Sequence, residues 1–94
     1  MLILSLTYKK SLEEADRLMD QHLAWLQQGY ERGWFLASGR KVPRTGGVIL
    51  AAGDRAEIEA FAATDPFVVN GIADCEVTET LLTTAAPGFE ILKS

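Results

Sequence analysis

The 94-residue chain reads as an α+β protein of the ferredoxin-like type, a four-stranded antiparallel sheet with two helices on one face. Three observations predict this. Leu2, Leu4, Leu6 and Tyr8 alternate with Ile3, Ser5 and Thr7, which is the period of a strand. Capping signatures at Ser11–Glu14 and at Asp54–Glu57 each open a helix-length stretch. Strand-like runs follow both, so the order is β-α-β-β-α-β, and right-handed crossovers put both helices on the same side of the sheet.

The first helix is expected to run from Ser11 to about Arg32, with Gly33 as its stop. Leu12, Ala15, Leu18, Met19, His22, Leu26 and Gly29 fall on or near one stripe of it, and Glu13 can pair with Arg17 one turn later. Strands "WFLASG" and "GGVILAA" follow, joined by the basic loop "RKVPRT". Both are unbroken apolar runs, which suits strands with little water on either face. The second helix ends near Thr64, because Asp65 precedes Pro66 and is pushed out of helical conformation. The last strand is read as "DCEVTETLLT", followed by the tail "AAPGFEILKS". Residues 1–94 therefore form one domain.

Composition narrows the function classes. A net charge of −4 and a pI of about 4.8 argue against a nucleic-acid surface or a polybasic membrane surface. Arg40, Lys41 and Arg44 form the one dense basic cluster; leaning over a pocket it would favour an anionic or phenolate ligand. Cys75 is the sole cysteine, so there is no internal disulfide and no support for an oxidising compartment. The apolar start "MLILSLTY" is too short and too alternating for a signal peptide or a membrane span, and a cytoplasmic setting is expected. With 48% hydrophobic residues, this short chain carries more apolar surface than one small core absorbs. A second copy laid against the open sheet face, a homodimer, is the economical cover.

His22 is the only histidine. On an inward helix stripe it is either a core residue satisfied by backbone or water, or a general base in a pocket between helix and sheet. Asp65 is either a turn opener before proline or the carboxylate that fixes the imidazole tautomer. One histidine and one distant cysteine do not make a zinc shell, and no metal or cofactor is expected. Gly46-Gly47 reads as a turn into the third strand, not as a phosphate loop. Trp25, Trp34 and Phe35 are read as core or dimer contacts, and Cys75 as a small buried hydrophobe.

"HLAWL" in the first helix, the glycine at its end, "FLASG" in the second strand, and "DPF" followed by "GIAD" together resemble the YciI-like (YCII-related) proteins over essentially the whole chain. The resemblance implies a protomer of the dimeric α+β barrel superfamily with a His–Asp pair in a pocket, matched by His22 and Asp65. It implies lyase, dehalogenase-type or isomerase chemistry on small hydroxylated aromatic or lactone compounds; the alternative is a non-catalytic ligand-binding or accessory homodimer. Where members of the family often have Gly-Pro after the second strand, this chain has Gly39-Arg40. The candidate site is therefore His22 and Asp65 for the chemistry, with Ser38, Gly39, Arg40 and Pro66 as substrate contacts.

Overall fold

The computed structural model describes residues 1–93. Its elements run β1 (Leu2–Tyr8), α1 (Leu12–Glu31), β2 (Phe35–Arg40), β3 (Gly46–Ala51), α2 (Arg55–Ala62), α3 (Pro66–Val69) and β4 (Ala73–Glu79), with a 3₁₀ turn at Glu90–Leu92. The sheet is antiparallel throughout in the order β2-β3-β1-β4. This is the ferredoxin-like α+β arrangement that the order of sequence signals predicts.

The helix starts follow from their caps. Ser11 accepts from the Glu14 amide while the Glu14 carboxylate reaches back to the Ser11 amide, a closed capping box. At α2 only half of that device forms: Asp54 accepts from the Glu57 amide. Beyond α1, Gly33 turns the chain with φ +76°, the left-handed region that glycine enters without strain.

Leu2, Leu4 and Leu6 point to the helix side, where they meet Ile49 and Ala51 of β3, Ala15 and Trp25 of α1, and Ile58 and Phe61 of α2. Each buried Leu, Ile or Phe among them contributes roughly 1.5–3 kcal/mol relative to exposure. Trp25, Phe35 and Phe61 form the aromatic centre, with Trp25–Phe61 centroids 5.0 Å apart and Trp25–Phe35 5.5 Å apart. The Trp25 indole donates to the Phe61 carbonyl and the Thr64 hydroxyl, so its polar edge is satisfied inside the core. Gly29 is buried because Phe35 occupies the place of its missing side chain; a Cβ there would lie 2.1 Å from the ring.

Three expectations are corrected. The last strand stops at Glu79 rather than continuing through Thr83: Glu79 pairs with Leu2, the first residue of β1, and beyond that pair Thr80 exchanges backbone hydrogen bonds with Met1 alone. Pro66 does more than end a helix. It occupies the first position of α3, where its fixed φ and missing amide suit a helix start, and Asp65 is the N-cap. Leu12 is 44% exposed at the first position of α1 and lies outside the buried stripe.

On the side of the sheet away from the helices, Ile3, Val48 and Leu50 are half-buried, and Leu36 is exposed beside them. Asp74, Glu76 and Thr78 of β4 make the rim of that face polar. Among the described residues no helix is long and apolar enough to cross a membrane.

Candidate active site

A cleft of about 500 Å³ opens between α1 and the β2–β3 end of the sheet. Asp16, Met19, His22, Leu23 and Leu26 line it from α1, at the spacings of three and four that keep residues on one helix face. Leu6, Tyr8, Ile49 and Phe67 form its inner wall, and Ser38, Gly39, Arg40, Arg44, Gly46, Gly47 and Val48 complete it.

Two backbone features create the space. In β3 the helix-side positions are Gly47, Ile49 and Ala51, opposite Leu6, Leu4 and Leu2. Gly47 alone among them carries no side chain, and the cleft occupies the volume it leaves. Gly46 has φ +155° and approaches β1 so closely that a Cβ would lie 1.8 Å from the Leu6 carbonyl oxygen, which bars any other residue there. The second feature is a bulge in β2. Phe35 opposes Ala51 while Ala37 opposes Leu50, so the alternation of faces slips between them. Phe35 therefore shares the helix side with Ser38 and Arg40, and the bulge is what turns those two residues into the cleft.

His22 and Asp65 meet. His22 Nδ1 lies 2.8 Å from Asp65 Oδ1, across 43 residues of chain. The Asp65 side chain is wholly buried and that of His22 is 13% exposed. The same Oδ1 accepts from the Phe67 amide at 3.0 Å, the N-cap bond of α3, so the helix start that Pro66 imposes also holds the carboxylate in aim. Among the described residues Oδ2 finds no hydrogen-bond partner. The imidazole stacks on Phe67 at 4.2 Å between centroids and 8° between planes, and on Trp25 at 5.6 Å and 28°. An ionised carboxylate only accepts, so against ionised Asp65 the proton sits on Nδ1 and Nε2 keeps its lone pair.

The other candidates separate by position. Ser38 lines the cleft and its hydroxyl is 2.7 Å from that of Tyr30, a partner that sequence alone did not suggest. Gly39 and Arg40 line it as well; Pro66 does not, and acts through the Asp65 turn. Arg44 donates to Asp16 at 2.6 Å across the cleft, a bond that pushes its guanidinium above the ordinary value. Lys41 turns away from the cleft and donates to Thr7. Asp16, Gly47 and Phe67 were missed as site residues. Asp16 was within reach of sequence reasoning, because it continues the Met19–His22–Leu26 face by one turn.

Cys75 lies outside the cleft, on the helix side of β4 beside Val68 and Val77. Burial pushes its thiol up to about 11, and the Asp65 carboxylate adds to the shift. Among the described residues no group of three or more His, Cys, Asp or Glu side chains is disposed to hold a metal ion.

Comparison with known proteins agrees with this geometry at the level of family and fold. No curated protein matches the chain in sequence. Among solved structures, 5-chloro-2-hydroxyhydroquinone dehydrochlorinase from Burkholderia phenoliruptrix AC1100, in complex with 2,5-dihydroxybenzoquinone, is similar with a TM-score of 0.67. The likeness covers 85% of this chain and 93% of that one at 22% identity, so it is a likeness of fold. The YCII-related domain matches residues 1–81, and the chain therefore belongs to the YCII-related family.

Proposed function

We propose that this single YciI-like unit, residues 1–94, is a small enzyme in which His22, oriented by Asp65, moves a proton on a hydroxylated aromatic or lactone compound held in the cleft. The observation that carries the reading is the 2.8 Å contact between His22 Nδ1 and Asp65 Oδ1 at the cleft wall. Nε2 takes a proton from a phenol or from carbon beside a carbonyl. When the proton comes from carbon beside a carbonyl, the freed pair forms a double bond to the next carbon as a leaving group there departs with the pair that bound it, which is elimination of the lyase or dehalogenase type. Return of the proton to a different carbon makes the reaction an isomerisation. In either case Asp65 stabilises the imidazolium that forms.

No cofactor enters this scheme. General-base assistance contributes roughly 10²- to 10⁴-fold, and positioning in the cleft supplies the remainder. The dehydrochlorinase of the same fold, solved with 2,5-dihydroxybenzoquinone, supports a hydroxylated ring as the substrate class. Turnover of halogenated hydroquinones and of lactones by wild type and His22→Ala tests the reading. Loss of about 10²-fold or more in kcat/KM on the variant supports it, and unchanged turnover overturns it.

A non-catalytic ligand-binding homodimer is the second reading. The stacking of His22 on Phe67 and Trp25 favours it, because that packing would hold the ring for structural reasons alone. Under either reading two copies pair through the open sheet face, which Ile3, Val48, Leu50 and the exposed Leu36 support as an apolar centre to be covered. Sedimentation at micromolar concentration is expected to give the dimer mass, and a stable monomer contradicts the pairing. The free thiol of Cys75 fits a cytoplasmic setting.

A further inference from the structure

Charge is distributed unevenly along the cleft. At the end away from His22, Asp16 of α1 and Arg44 of the β2–β3 connection close on each other at 2.6 Å, joining Nη2 to Oδ1. That bond engages one guanidinium nitrogen and one carboxylate oxygen, and the Tyr8 hydroxyl also bonds the guanidinium, which leaves the remaining donors of the planar fork open. The Tyr8 ring lies alongside, its centroid 6.0 Å from Arg44 Cζ. Arg40 lines the same cleft, and among the described residues no carboxylate lies within ion-pair distance of it. This end therefore sets two guanidinium groups against one carboxylate, an excess of one positive charge at the open mouth of the cleft, which attracts an anion.

Spacing along α1 sizes the ligand. Asp16 and His22 both line the cleft and are six residues apart, which is about 9 Å of helix rise. A single six-membered ring bearing a carboxylate is of comparable length.

We propose that Arg44 and Arg40 form a carboxylate subsite, and that Asp16 is the resident carboxylate that the ligand displaces from Arg44. The cleft then takes monocyclic carboxylic acids, with the acid group at the arginines and the opposite side of the ring at His22. The placement of a reacting atom at His22 rests on the proposed function; the subsite itself does not.

Calorimetric titration with benzoate and with its neutral analogue benzamide, at low salt and neutral pH, tests this on the intact protein. Benzoate is expected to bind wild type about tenfold or more tightly than benzamide. Asp16→Asn removes the competitor and is expected to tighten benzoate severalfold while leaving benzamide unchanged. Arg44→Gln is expected to weaken benzoate about tenfold and spare benzamide, with Arg44→Lys, which keeps the charge, falling between. The opposite response of the Asp16 and Arg44 variants is the signature, because simple disruption of their ion pair would shift both in the same direction. Equal affinity for the two ligands, absent benzoate binding, or weaker benzoate binding in Asp16→Asn overturns the proposal. Preferential benzoate binding by a protein without turnover would leave the subsite standing and remove the catalytic reading.

Discussion

Asp65 Oδ1 lies 2.8 Å from His22 Nδ1 and at the same time accepts from the Phe67 amide at 3.0 Å. One oxygen thus caps α3 and orients the imidazole, and the two tasks are mechanically linked. A double-mutant cycle with His22→Ala and Asp65→Ala is expected to give a coupling energy of about 1.5–3 kcal/mol in urea denaturation, the range for a bond to a charged group. Additive effects contradict the contact.

Gly29→Ala separates local propensity from packing. In an exposed helix the change would gain about 1 kcal/mol. Here the added Cβ falls 2.1 Å from the buried Phe35 ring, which Trp25 and Phe61 hold in place. Overpacking of this kind costs about 1–3 kcal/mol, so a lower urea midpoint is expected, and a raised one contradicts the packing described.

Much of the fold was legible because its signals are local. The Ser11–Glu14 box, the Leu2–Leu4–Leu6 alternation and the Asp65-Pro66 break each act within a few residues and form where expected. The end of β4 was not legible, since it depends on where β1 begins. His22 and Asp65 could be nominated as candidates, yet their meeting depends on how α1 packs on α3. The aim of Ser38 and Arg40 was hidden in the bulge between Phe35 and Ala37, a property of strand pairing that no residue there announces. Gly47 looked like turn punctuation for the same reason: its part in making space appears only opposite Leu6.

Gly47→Val is the corresponding test of the cleft. Position 47 has no left-handed backbone, and a Cβ there would meet only the Gly39 carbonyl oxygen, at 3.1 Å. A β-branched residue suits a strand. The variant is expected to keep the circular dichroism of wild type while losing about tenfold or more in affinity for any cleft ligand. Undiminished binding would place the ligand elsewhere.

Cys75 makes a pH prediction. Its thiol is raised from 9.0 to about 11 in the folded protein, so the folded state keeps a proton that the unfolded chain releases. The stability this contributes is whole below about pH 9 and is lost as the pH rises from there towards 11. Cys75→Ala is expected to flatten that part of the stability profile. At pH 8 the folded thiol should label about a hundredfold more slowly than the unfolded one, in proportion to its smaller thiolate fraction. Equal labelling rates contradict the burial.

Nitrogen NMR of the single imidazole separates an oriented base from a merely packed ring. A neutral ring protonated at Nδ1 and bare at Nε2 is expected, with an Nδ1 signal that moves on Asp65→Asn and an Nε2 signal that shifts when a phenolic ligand enters the cleft. A neutral ring protonated at Nε2, indifferent to the substitution and to added ligand, would contradict the oriented base.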